Sequence, residues 1–310
     1  MRRNSHPKPS APRPGITVWG LRLAFAATAL LAGCRAGPAP TPHYHYPAAL
    51  EQVSFDEVMA LPWRPADQRV SYGPAPQQFA ELWLPPGQDD VPVVVFIHGG
   101  CWLNAFGIDH SRPLATALAQ RGYAVWSIEY RRLGDSGGGW PGTKEDVVAA
   151  IARLDALQHP RLRLDRMVIV GHSAGGHLAL LAAAHPLQHP PTAVLGLAAI
   201  VDLKAYAAGA GSCNKAAAAF IESGTTSATT HTLPPANPAL SPAPANTLLL
   251  EGTEDAIVPP QTAVITGVGA SAAAAWAPQW QQAGAGHFDW VHPGTPAWQT
   301  LMETLAQALP

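Results

Sequence analysis

The sequence predicts an α/β fold, a mostly parallel central sheet with helices on both faces, and three observations carry that prediction. Short runs rich in apolar and β-branched residues recur along the chain, and Val91 to Ile97, "VPVVVFI", is apolar without interruption, as a strand buried on both faces of a parallel sheet must be. Between these runs lie segments with helical spacing of apolar residues, bounded by capping residues and glycines. Strand and helix then alternate from about Arg69 to the C-terminus, which fits one domain rather than two.

The elements follow in chain order. Residues 1–33 carry Arg2, Arg3, Lys8, Arg13 and Arg22 ahead of the short apolar run "LRLAFAATALLAGC", the charged and apolar regions of an export signal. That run is too short to span a bilayer comfortably. It ends in Leu31-Ala32-Gly33-Cys34, which resembles the lipobox of bacterial lipoproteins and makes Cys34 the expected lipidation site, at the start of a chain exported to the cell envelope and anchored to a membrane. Residues 34–68 are proline-rich without apolar periodicity and are expected to form a tether and N-terminal extension; His43 and His45 within it do not suffice for a metal site.

The domain is expected over residues 69–310. "RVSYG" and "FAELWLP" alternate as strands. Ser111 to Gln120 reads as a helix closed by Gly122, followed by the strand "YAVWSIEY". Thr143 is the expected cap of a helix with Glu145 and Asp146 in its first turn and Val147, Val148, Ile151, Leu154 and Leu157 on its apolar face. Met167 to Val170 is a buried strand and Ala174 to Ala184 a helix; "AVLGLAAI", "NTLLLEG" and a weaker run from Ala273 to Trp280 are further strands. In the last helix Thr295 caps, Pro296 opens the first turn, and Trp298, Leu301, Met302, Leu305 and Leu309 share a face. Residues 202–241 interrupt the alternation and are expected to be a small cap over the strand ends.

Composition narrows the function classes. With 310 residues and 47% hydrophobic content the chain can bury a large core. A net charge of -2, only 13% charged residues and no basic run argue against a nucleic-acid partner. Beyond Cys34, two cysteines remain, Cys101 and Cys213, which in an exported chain either form a disulfide or stay as two unpaired thiols.

The chemistry centres on Gly171-His172-Ser173-Ala174-Gly175. This G-x-S-x-G follows the strand "MVIV" and opens a helix, the context in which a serine stands exposed on a sharp turn with small neighbours around it. A serine hydroxyl needs a base that a carboxylate orients. Asp255 in "EGTEDAIVPP" and His287 in "GAGHFDW" follow in the order Ser, Asp, His. Glu251, Glu254 and Asp202 compete for the acid role, and His292 lies further along the last loop, where a rim position is expected. In "VFIHGGCW" consecutive glycines let backbone amides converge, so the N–H groups of Gly100, Cys101 and Ala174 are the candidate oxyanion donors. His98 is expected to support that loop and His177 to pack on the helix. Trp102, His172 and Trp290 are candidate substrate-pocket residues, with Trp140 beside the same motifs. Arg131 and Arg132 either meet an acidic substrate group or pair with Glu129 or Asp135.

The segments "HGGCW", "EYRRLGDSGGGWPGT", "GHSAGGHLAL", "EGTEDAIVPP" and "GAGHFDWVHPGTPAW" together resemble the α/β-hydrolase superfamily, and within it the HGG-motif esterase branch that includes feruloyl/acetyl esterase-like and kynurenine formamidase-like proteins. The resemblance runs from about Arg69 to the C-terminus and implies an α/β-hydrolase fold, Ser173 as nucleophile, Asp255 as acid and His287 as base. It departs at Cys101, where many relatives carry a third glycine. The expected activity is hydrolysis of a small-molecule carboxylic ester through an acyl-enzyme, with no cofactor. A formamidase or acylaminopeptidase acting on an activated amide, and a non-catalytic binding module, are the alternatives.

Overall fold

The computed structural model describes residues 43–50, 52–224, 236–238, 244, 246–260 and 280–309. The expected signal, Cys34, residues 273–279 of the weak strand and most of the cap beyond residue 224 lie outside the described residues. The strands β1 (Gln68–Ser71), β2 (Phe79–Trp83), β3 (Val91–Ile97), β4 (Ala124–Ile128), β5 (Leu162–His172), β6 (Ala193–Leu197), β7 (Thr247–Gly252) and β8 (Trp280–Gln282) form one sheet in the order β1-β2-β4-β3-β5-β6-β7-β8. β1 and β2 pair antiparallel at one edge, β2 joins β4 antiparallel, and every pair from β4 to β8 is parallel. The mostly parallel sheet with helices is the architecture the alternation predicted.

The uninterrupted apolar character of β3 has a direct cause. Val93, Val95 and Ile97 pack on one face of the sheet with Val147, Ile151 and Leu154 of α3 (Gly142–Leu157) and Leu178 of α4 (Ala174–Ala183). Val94 and Phe96 pack on the other face with Leu114 and Leu118 of α2 (Arg112–Gln120) and Leu301 and Leu305 of the final helix α7 (Pro296–Ala308). Each such side chain contributes about 1.5–3 kcal/mol on burial, so the central strands leave no room for a polar alternate. Thr295 caps α7 as expected, its hydroxyl accepting the Trp298 N–H at 3.1 Å.

Two expectations need correction. Thr143 does not cap α3, which begins one residue earlier. Its hydroxyl instead accepts the Gly139 N–H and donates to the Arg131 carbonyl, tying the glycine-rich loop before the helix to the chain after β4. Residues 43–50 and 52–68 of the expected tether and N-terminal extension are bound to the domain. The Tyr46 hydroxyl donates to Pro113 O at 3.0 Å, the Ala49 N–H to Gly294 O at 3.0 Å, and the Val53 N–H to Asp289 at 3.2 Å. Helix α1 (Phe55–Met59) buries Val58 and opens on a reciprocal cap between Ser54 and Glu57. The S-x-x-E spacing of that cap is legible in the sequence; proline content obscured it.

Candidate active site

Ser173 sits between β5 and α4 with φ 56° and ψ −121°, a conformation costing about 1–3 kcal/mol that persists only where neighbours impose it. The imposed geometry is visible on both sides. The Ser173 N–H donates to Leu197 O of β6 at 2.9 Å, and Gly175 lies so close to β3 that a Cβ there would stand 2.1 Å from the Ile97 carbonyl. Any residue but glycine at 175 would push the helix start away from the strand.

Asp255 follows β7 and is buried. One carboxylate oxygen accepts the N–H groups of Ile257 and Val258, both at 2.8 Å, and the other accepts from His287 Nδ1 at 2.7 Å. An imidazole held this way keeps its proton on Nδ1 and presents Nε2 as a base. His287 and Ser173 border the same cavity, of about 270 Å³, with His172, Gly100 and Cys101. Glu254 is exposed, and Asp202 is engaged elsewhere, accepting from Ala205 N–H at the start of α5 (Leu203–Ala207) and from Asn237 Nδ2, both at 3.0 Å. Of the competing acids, Asp255 is the one hydrogen-bonded to His287.

The loop after β3 takes left-handed backbone at Gly100 (φ 114°), Cys101 (φ 53°) and Trp102 (φ 57°). The N–H groups of Gly100, Cys101 and Ala174 donate no hydrogen bond to another described residue. Ala174 is the first residue of α4, whose N-terminus favours negative charge. His98 underlies the loop: buried, stacked on Tyr130 at 4.4 Å and bonded to Glu129 at 3.0 Å. Burial alone would raise the Glu129 carboxyl, but His98, Arg132 and the Tyr130 N–H outweigh it and bring it down to about 2. His172 Nε2–H donates to the His287 carbonyl at 2.9 Å, linking the serine turn to the histidine loop, and burial keeps this imidazole neutral, its pKa well below the usual value.

Of the three candidate pocket residues His172 borders the cavity, whereas Trp102 and Trp290 do not. Trp102 is fully buried, its Nε1–H directed at His177 Nδ1 at 3.3 Å, and Trp290 is fully buried in the turn before α7. Trp140 packs near Phe220, away from the lining. His292 is buried and accepts the Gly294 N–H at 3.1 Å, so it is no rim residue. Arg131 forms a bidentate pair with Asp146, and Arg132 pairs with Glu129 at 3.2 Å and Asp135 at 3.4 Å, which accounts for both guanidinium groups. Sequence reasoning missed the apolar lining, Phe55, Leu103, Phe106, Ile257 and Phe288: Phe55, Leu103 and Phe106 lie outside the quoted motifs, and Ile257 and Phe288, though inside them, line the cavity only because distant loops meet there. No cluster of three His, Cys, Asp or Glu side chains suited to a metal ion occurs among the described residues.

A family model described as BD-FAE matches residues 81–266, more than half of the chain. Esterase LipC of Mycobacterium tuberculosis is 33% identical over 119 residues, covering 37% of this chain and 29% of LipC. Kynurenine formamidase avaC of Aspergillus versicolor is 32% identical over 136 residues, covering 38% of this chain and 47% of the relative. The matches thus span less than half the length of these curated relatives. Among solved structures, esterase B from Lactobacillus Rhamnosis (HN001) superposes with a TM-score of 0.64 at 22% identity, covering 82% of this chain and 89% of that one, which shows a shared α/β-hydrolase fold.

Proposed function

The chain belongs to the BD-FAE family, and from that premise we propose that it is a serine hydrolase cleaving carboxylic esters through an acyl-enzyme. The observation that carries the reading is the buried Asp255–His287 hydrogen bond of 2.7 Å beside a cavity that Ser173 also borders. Ser173 Oγ attacks the ester carbonyl while His287 Nε2 takes its proton. The oxyanion collects the N–H groups of Gly100, Cys101 and Ala174, and His287 returns the proton to the departing alkoxide. Water then attacks the acyl-enzyme with His287 again as base, releasing the acid and restoring Ser173. Asp255 holds the imidazole's tautomer throughout. The esterase names of LipC and esterase B support the ester bond as the target.

Among the described residues the lining contains no Asp, Glu, Lys or Arg, which favours a neutral group in the cavity, because an unpaired charge there would lose hydration without a partner. The kynurenine formamidase relative favours a second reading, attack on an activated amide by the same groups. Hydrolysis of p-nitrophenyl esters of increasing acyl length, and of N-formylkynurenine, by the wild type and Ser173→Ala decides between them. Ester turnover that falls at least about 10⁴-fold in Ser173→Ala is expected. Preference for the formyl amide would select the second reading, and turnover retained without Ser173 would remove both.

The sequence supports export and lipid anchoring at Cys34. Metabolic labelling with a fatty-acid analogue is expected to mark the wild type and not Cys34→Ser; equal labelling of both would place the lipid elsewhere, and an unlabelled wild type would remove it.

A further inference from the structure

The segment inserted after β6 includes α6 (Ser212–Ser223), and the structure joins its Cys213 to Cys101 of the loop after β3 by a disulfide with Cα atoms 5.1 Å apart. We propose that this disulfide is a positioning device: it holds the Cys101 N–H where the oxyanion forms, and the loop keeps its working geometry only in the oxidised chain. The inference rests on the reading of Gly100 and Cys101 as oxyanion donors.

The backbone creates the need. Cys101 and Trp102 are successive non-glycine residues at positive φ, each costing about 1–2 kcal/mol relative to the right-handed region. Such a stretch relaxes unless something outside it opposes the relaxation. Its second residue is secured without a covalent bond. Trp102 is fully buried and stacked on Phe220 of α6 at 5.3 Å, its carbonyl accepts the Leu133 N–H at 2.8 Å, and its indole N–H is directed at His177. Its first residue, Cys101, faces the cavity and is tied through its Sγ to α6.

Helix α6 is suited to act as a splint. Its first turn carries the disulfide, its last turn carries Phe220 against Trp102, and at its last residue the Ser223 hydroxyl accepts the Trp140 N–H at 2.8 Å. Both half-cystines border the cavity that holds Ser173 and His287, so the crosslink lies at the proposed reaction site and not in a remote part of the fold. Cys213 is half-buried, which leaves the bond open to an attacking thiolate. Dithiothreitol would deliver two electrons and two protons to the Sγ–Sγ bond, leaving two protein thiols and the cyclic disulfide of the reagent.

The test compares the full chain in its oxidised form, after reduction by dithiothreitol, and as Cys213→Ser, with kcat and KM on a p-nitrophenyl ester and hydrogen exchange at residues 99–103. Reduction and the substitution are each expected to lower kcat about a hundredfold, as misplacing one oxyanion donor does, with KM changed less than about threefold. Exchange at residues 100–102 is expected to rise, and reoxidation to restore both readouts in the wild type alone. A kcat within twofold of the oxidised protein, accompanied only by a lower melting temperature, would make the bond a plain staple and overturn the inference. Turnover independent of Ser173 would instead overturn the catalytic reading. The exchange measurement still judges the clamp in that case: unchanged protection of the loop on reduction would sink it.

Discussion

The cavity has two walls built in different ways. Ser173, His287, Gly100 and Cys101 stand on loops at the ends of β3, β5 and β8, and their supports are largely backbone hydrogen bonds and a buried carboxylate. Facing them, Phe55, Phe106 and Phe288 form a cluster of rings, Phe55 lying 5.7 Å from Phe106 and 5.6 Å from Phe288, contributed by the short helix α1 and two loops. Groups that must be placed to a fraction of an ångström hang from the sheet. Groups that set only shape and polarity hang from side-chain packing, which tolerates substitution.

The largest break in this comparison is expected on the polar wall. Asp255→Asn should lower kcat/KM about 10⁴-fold with the fold intact, because an amide donates to Nδ1 and forces the proton onto Nε2, where the base is needed. Steady-state kinetics with circular dichroism would check it. A loss under tenfold would move the acid role away from Asp255, with Glu254 and Asp202 next to be replaced. Gly175→Ala should act through the scaffold instead. Its Cβ would stand 2.1 Å from the Ile97 carbonyl and 2.3 Å from that of His98, both backbone atoms, so a destabilisation of about 3 kcal/mol or more is expected in urea unfolding. Full stability would mean that the serine turn has slack.

The same division explains what the sequence made legible. The serine turn was readable because steric demand there is local: glycines at 171 and 175 and a strand and helix on either side. The pairing of Asp255 with His287 was readable from chain order, one in the loop after a strand and the other in the loop before the last helix. Neither Phe55 nor Phe106 announces a lining role, since that role depends on which distant loops meet. Trp102 misled for a related reason. It adjoins the motif, yet its left-handed backbone turns the ring into the core against Phe220. For Arg131 and Arg132 the sequence left open an acidic substrate group or pairing with Glu129 or Asp135; Arg132 does pair with those two, while Arg131 meets Asp146 of α3, which becomes a neighbour only in the fold.

Buried imidazoles around the cavity make the stability of the fold depend on pH. Burial lowers His177 to about 4, while its Nε2–H donates to Ala236 O at 2.7 Å and its Nδ1 faces the indole N–H of Trp102. A lowered folded-state value means that the unfolded chain binds the proton more tightly. This residue's contribution is therefore complete above pH 6.5 and is lost as pH falls through about 4, by at most about 3 kcal/mol. His177→Gln keeps a donor and an acceptor without titrating, so unfolding free energy measured from pH 7 to 4 should fall less steeply in the variant. Equal slopes would assign the acid sensitivity to His110, which burial lowers to about 3, to His172, which burial also lowers, and to Glu129.

The smallest expected effect sharpens the comparison from the apolar side. Phe106 meets the loop through its Cβ and the near edge of its ring, since a Cβ on Gly100 would stand 2.5 Å from the Phe106 Cβ, 3.2 Å from Cγ and 3.5 Å from Cδ2, and the ring lies edge-on to Phe55. Alanine keeps the Cβ, the nearest of these contacts, and removes the ring, enlarging the cavity. Phe106→Ala should therefore lower KM for longer acyl esters about tenfold relative to the acetate, with kcat on the acetate within about threefold of wild type. A p-nitrophenyl series from acetate to octanoate would read this directly. An equal loss of kcat at every chain length would instead make Phe106 a support of the oxyanion loop and shift it from the wall that sets shape to the wall that does chemistry.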